Sequence, residues 1–139
     1  MAEHLLTSGT RLLTLSRHPS PALHEKARAA GAMLEQWAID VGHDVGTAAR
    51  LETWLHQHAT AGFTAAALIN NGGLLGPVGP IDRSEAEQLT AVLRVGLEAP
   101  LLLTANLVDN MPGGVATGGG NTGTCPGVSV APTAITMLA

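Results

Sequence analysis

The chain has 139 residues, the usual size of one domain, and 45% of them are apolar, which excludes disorder throughout. A net charge of −4, only 7 Lys plus Arg, one Phe, two Trp and no Tyr leave neither a basic stripe nor a stacking platform for nucleic acid. The single cysteine, Cys125, suits a reducing cytoplasm, MAEHLLTSGTR lacks the basic and long apolar regions of a secretion signal, and no apolar stretch is expected to approach the ~20 residues that span a bilayer.

His4 to Thr7 reads as a short first strand, and residues 9–19 read as loop. Ser20-Pro21 is a helix entry, with Ser as N-cap and Pro at the first helical position. Leu23, Ala27, Ala30 and Leu34 then recur along one helix face. Trp37 to Val41 reads as a strand. A second helix follows from about Thr47 to Thr60, with Ala48, Leu51, Leu55 and Ala59 inward and Trp37 and Trp54 as packing residues. The apolar run Phe63–Ile69, bounded by glycines, fits a strand buried on both faces. Ser84-Glu85-Ala86-Glu87 has the form of a capping box, and its helix is expected to end at Pro100. Leu101–Ala105 reads as a strand, residues 112–124 as a glycine-rich loop, and Val128–Ala131 as a last strand before an apolar tail.

Strands alternating with helices imply a parallel sheet covered on both faces. The expectation is one domain, 1–139, with a flavodoxin-like, doubly wound, five-stranded parallel sheet of order 2-1-3-4-5 in three layers. Ligands of such sheets sit beyond the carboxyl ends of the strands, which places Asn70-Asn71-Gly72-Gly73 where a site is expected.

Several segments, taken in order, resemble one family. Ser8 to Pro19 follows the pattern N-G-P-N-L-N-x-L-G-x-R-x-P, one residue shorter. Leu51-Glu52-Thr53-Trp54-Leu55-His56 follows L-x-x-W-I-H, and Ile69-Asn70-Asn71-Gly72-Gly73 follows I-N-P-G-A. Pro100 to Asn106 follows P-x-x-E-V-H-x-S-N. The chain thus resembles the type II dehydroquinases, small flavodoxin-like lyases that form trimers and dodecamers. The resemblance makes residues 9–22 a lid. It places Ala22 at the family's general-base Tyr, Ala105 at its general-acid His and Leu103 at the supporting Glu. A second His falls near Gly76, and a first-loop Asn becomes Arg11. Arg17 and Asn70 match the lid arginine and the water-holding asparagine. Each lost proton-transfer group is worth about 10²–10⁴-fold in rate, so the resemblance implies the fold without the family's activity.

Gly118-Gly119-Gly120-Asn121-Thr122-Gly123 matches G-x-G-x-x-G but does not follow the first strand, so it reads as a loop. The six histidines show no metal-ligand spacing, and neither metal nor cofactor is expected. Arg17, His18 and Asn70 are the candidate catalytic residues, with Arg11, Asn71, Gly72, Ala105, Asn106 and Leu107 lining a largely apolar substrate site. Asp44, Asp109 and Asn110 read as solvated loop residues. Three readings follow. One is a repurposed cyclase or lyase of specialised metabolism acting on a small, partly apolar molecule. Another is a residual dehydroquinate dehydratase, with His18 as base. The last is a non-catalytic binding or structural protein. A trimer or dodecamer is expected, with no nucleic-acid or membrane partner.

Overall fold

A computed structural model describes residues 2–44, 46–58, 65–76, 78–110, 115–119 and 133–138. The segment expected as a first strand is instead a 3-10 turn, Ala2–Leu5. The first strand, β1, is Thr10–Ser16, inside the stretch read as a loop and lid. Leu12, Leu13 and Leu15 explain it: all three are buried, and they alternate between both faces of the sheet, which no exposed lid does.

Helix α1, Pro21–Ala30, starts as its sequence dictates, with Ser20 Oγ accepting the Leu23 N–H and Pro at the first turn. It ends at Gly31, whose φ of 67° is left-handed. The Gly31 N–H donates to Arg28 O, and that of Ala32 donates to Ala27 O, the paired bonds of a Schellman close. Strand β2, Met33–Ala38, begins four residues before the strand read at Trp37. Helix α2, Thr47–His58, and strand β3, Ala65–Asn70, fall where expected.

The Ser84 box is not made. Ser84 is extended, and α3, Ala86–Leu93, begins after Glu85, which makes no side-chain cap. Pro100 does not end the helix either. A π turn, Arg94–Glu98, follows α3 and leads into α4, Ala99–Asn110. Proline has no N–H to give and crowds the carbonyl four residues back, here that of Gly96. The wider turn, in which the Ala99 N–H reaches Arg94 O, absorbs the misfit. Leu101–Ala105 is therefore helix and not strand: Leu101 is 61% exposed and Leu103 2%, a helical alternation. The continuous helix, Ala86–Asn110, has 25 residues and is long and apolar enough to cross a membrane, which corrects the sequence expectation. Arg94 and Glu98 fall near its middle, 3.9 Å apart, and a bilayer core would penalise them. Its Leu103 and Leu107 are buried in the core.

Strand β4, Val115–Gly119, and strand β5, Thr133–Leu138, complete the sheet. Residues 128–131 lie outside the described residues. The order is β2-β1-β5-β3-β4, which corrects the expected 2-1-3-4-5. β1 is parallel to β2, and β3 to β4, while β5 runs antiparallel to β1 and to β3. The last strand has entered the middle of the sheet rather than its edge, so the sheet is mixed. On one face, Leu13, Leu15, Leu51, Leu55, Leu68 and Leu107 belong to the larger core, under α2 and α4. On the other, Leu6, Leu12, Leu23 and Ala27 form a smaller core under α1.

Glu35 ties β2 to α2. Its carboxylate accepts the Trp37 indole N–H at 2.6 Å and that of Trp54 at 2.7 Å. The two rings meet edge to face at 6.4 Å, Arg50 lies 4.0 Å over Trp37, and His58 meets Trp54 at 4.8 Å. Burial, reinforced by the Arg11 charge, pulls the His58 pKa below the ordinary 6.5, against the pull of Glu35. Because the folded state favours neutral His58, its contribution to stability is whole above pH 6.5. It is lost as the pH falls through the lower folded value. Urea unfolding at pH 7.5 and pH 5 should therefore show a smaller acid loss of stability in His58→Gln than in the parent; equal losses would contradict the assignment.

Candidate functional site

The four parallel strands deliver their carboxyl ends to one edge of the sheet. There the structure holds a cavity of about 490 Å³, within the ~300–1,000 Å³ of ligand pockets. β1 contributes Thr14 and Leu15 to its floor and Ser16 to its wall, continued by Arg17 and His18. The segment after β2, Ile39 to His43, forms a second wall, and Gly72 and Leu74 close it from beyond β3. Ala91 and Val95 reach it from the long helix.

The Arg17-His18 loop is held at both ends. Ser16 Oγ donates to His18 O at 3.1 Å. Beyond Pro19, Gln36 clasps Ser20 twice: its Oε1 accepts the Ser20 N–H at 2.8 Å, and its Nε2 donates to Ser20 O at 2.9 Å. Two exposed basic side chains are thus presented at the rim by a short, pinned turn.

The opposite wall carries Asp40, and Asp44 shapes the turn behind it. Asp40 Oδ1 accepts the Gly42 N–H at 3.0 Å, and Asp40 Oδ2 lies 3.5 Å from His43 Nδ1. Asp44 Oδ1 accepts the Gly46 N–H at 2.9 Å, and Asp44 O accepts the Thr47 hydroxyl at the start of α2. Asp44 is therefore a turn-forming residue. Gly42 is required by space, since a Cβ there would lie 2.8 Å from Val95 Cγ2.

Of the expected site residues, the structure brings Arg17, His18 and Gly72 to this cavity. Asn70 ends β3 on the face of Ala66 and Leu68, with its Oδ1 buried and without a partner among the described residues, and neither it nor Asn71 lines the cavity. Arg11 sits at the amino end of β1, roughly 20 Å from Arg17 at ~3.3 Å per residue. Its Nη2 contacts Met33 Sδ at 3.0 Å, so it cannot point into the site. Ala105, Asn106 and Leu107 are in α4 and not at a strand end. Ala105 is exposed, Asn106 donates back to Leu102 O, and Leu107 is core. Sequence reasoning missed Thr14, Gln36 and Asp40. Thr14 lines the cavity, and its Oγ1 is buried and has no partner among the described residues. A threonine between Leu13 and Leu15 was the available signal. Within the G-x-G-x-x-G match, Gly118 and Gly119 belong to β4, and the remainder lies outside the described residues.

No family model matches the chain, and no curated protein does. Solved structures do. The chain is similar to a short-chain dehydrogenase/reductase from Burkholderia vietnamiensis, 26% identical over 80% of this chain and 51% of that one, with a TM-score of 0.61. It is similar in fold to a bulky-bulky ketone specific alcohol dehydrogenase from Comamonas testosteroni, at 22% identity, 78% and 42% coverage and a TM-score of 0.62. A short-chain dehydrogenase/reductase from Serratia marcescens shares the fold at 18% identity, 73% and 42% coverage and a TM-score of 0.54. The chain spans about half the length of these structures.

These likenesses correct the resemblance to type II dehydroquinases, and with it the lyase, cyclase and dehydratase readings. The physical reason is register. The supposed lid is the buried strand β1, and the supposed acid-bearing strand at Leu103 and Ala105 is helix α4. The trimer or dodecamer rested on that resemblance alone.

An unpartnered buried hydroxyl costs about 1–3 kcal/mol, so the Thr14 hydroxyl is an expense to the fold. Thr14→Val should raise stability by about 1 kcal/mol in urea unfolding of the free protein; a loss of that size would show that the hydroxyl is already satisfied.

Proposed function

We propose that this chain forms the nucleotide-binding part of a dinucleotide-dependent oxidoreductase, and that the cavity holds the phosphorylated adenosine of NADP. This reading departs from the expectation of no cofactor. The observation that carries it is the place of Arg17 and His18. They follow the strand beside the central position of the sheet, at the edge where doubly wound folds bind nucleotides. An arginine near that strand end is the group that accommodates a 2′-phosphate, where an acidic residue would take the free ribose hydroxyl. The likeness to the dehydrogenase structures supports the same reading.

The residues fit that end of the nucleotide. Arg17 supplies a guanidinium and His18 an imidazole N–H for a phosphate at the rim. Ile39, Val41 and Leu23 supply apolar surface for a base. Asp40 offers acceptor oxygens to an exocyclic amine, although Oδ1 also holds the loop through Gly42. When bound, the nicotinamide group would supply hydride transfer; no described residue is assigned a chemical step. Self-association belongs to the proposal in its general form, since Leu93, Leu97 and Leu101 are exposed at every fourth residue of the long helix.

Charge-assisted hydrogen bonds contribute about 1.5–3 kcal/mol, or roughly 10- to 100-fold in affinity. Calorimetric titration should show NADP⁺ binding at least ~10-fold more tightly than NAD⁺, with Arg17→Ala removing most of that difference and leaving NAD⁺ unchanged. Equal affinities in the parent, or an Arg17→Ala variant that keeps the preference, would refute the reading.

A further inference from the structure

A long cationic side chain on a loose loop loses much of a charge-assisted bond to ordering, so the frame that holds its backbone decides what the bond yields. Here the loop is Arg17-His18-Pro19, and both of its ends are tied to β2 and the segment that continues it. At the β1 end, Ser16 O accepts the Ile39 N–H at 3.0 Å. At the α1 end, Gln36 Oε1 accepts the Ser20 N–H at 2.8 Å, and Gln36 Nε2 donates to Ser20 O at 2.9 Å. Between these ties, Ser16 Oγ donates to His18 O at 3.1 Å. Pro19 fixes its own φ and biases His18 toward extended backbone.

The clasp on Ser20 adds to what the surrounding elements already provide. Helix α1 has its own cap, Ser20 Oγ accepting the Leu23 N–H, and Pro21 in its first turn. β2 is held along its length by β1, with Gln36 opposite Thr14. Gln36 stands on the edge strand of the sheet and lines the cavity. Its amide meets the backbone of Ser20 as one peptide group meets another, with one bond in each direction.

We infer that Gln36 is the positioning residue of the phosphate subsite: through the Ser20 backbone it sets where Arg17 stands, and so sets the preference for a phosphate monoester on the ribose. This rests on the nucleotide reading above and deepens it. Gln36 acts through Arg17 rather than on the ligand, because its carbonyl and its amino group are both engaged by Ser20.

A double-mutant cycle, read by calorimetric titration of NADP⁺ into the full chain, tests this. Gln36→Met keeps the length of the side chain and removes both bonds. It should weaken NADP⁺ binding about fivefold or more in the parent, but less than about twofold in the Arg17→Ala chain, where the frame has no guanidinium to position. Gln36→Thr suits an edge strand, is too short to reach Ser20 and should give the same pattern. An equal loss in both backgrounds would show a general loosening of the fold and overturn the inference, as would no loss in either; the nucleotide reading would survive both results. If neither variant unfolds cooperatively, Gln36 belongs to the fold and the inference is overturned as well. A parent chain that binds NADP⁺ no more tightly than NAD⁺ would overturn the nucleotide reading and the inference with it.

Discussion

The sheet depends on β5 running antiparallel between β1 and β3. Without it, β2-β1 and β3-β4 are two separate ribbons, each with an unpaired edge turned toward the middle of the molecule. β5 pairs with β1 from Thr10 to Leu15 and with β3 from Ala65 to Ile69, closing both edges at once. A buried backbone group left unpaired costs about 1–3 kcal/mol, so two such edges are beyond what a domain of this size tolerates. This strand also sets the spacing of the site. It holds the end of β1, with Arg17 and His18, across from the end of β3, with Gly72 and Leu74.

The same constraint gives the site its one-sided character. Its polar groups lie on β1, β2 and their outgoing loops: Thr14, Arg17, His18, Gln36, Asp40 and His43. The β3 side contributes backbone and apolar surface at Gly72 and Leu74. The polar half is also the more heavily hydrogen-bonded half. Gln36 fixes the start of α1, Asp40 and Asp44 fix the approach to α2, and Gly42 lets that loop close on Val95. A site built this way is pre-shaped for one end of a ligand.

What could be read in the sequence was local. The Ser20-Pro21 entry of α1, the apolar face of α2 and the alanine-rich β3 follow from caps and periodicity, and they stand. Arg17 and His18, read as lid residues, instead follow the carboxyl end of β1 and line the cavity, as does Gly72. Four things were hidden for physical reasons. β1 sets Leu12, Leu13 and Leu15 among Thr10, Arg11, Thr14 and Ser16 without a regular alternation, so its burial on both faces looked like loop. β2 carries Glu35 and Gln36, polar residues whose work is to hold two indoles and a helix start, and they masked a strand. Leu101-Leu102-Leu103 after Pro100 looked like a strand after a helix stop, because the π turn that relieves the proline has no sequence signature of its own. The place of β5 was the least legible of all. Pairing with β1, more than a hundred positions earlier, and with β3, more than sixty earlier, leaves no trace in any short window.

The central claim is that the carboxyl edge of this mixed sheet is a nucleotide site. The most direct measurement is the amide NMR spectrum of the chain during titration with adenosine 2′-monophosphate. The account predicts shifts concentrated at Ser16, Arg17, His18, Gly42, His43 and Gly72, with Arg11 and Met33 at the far end of the strands unmoved. Shifts gathered at the amino edge or along Ala99–Asn110, with none at the carboxyl edge, would contradict it.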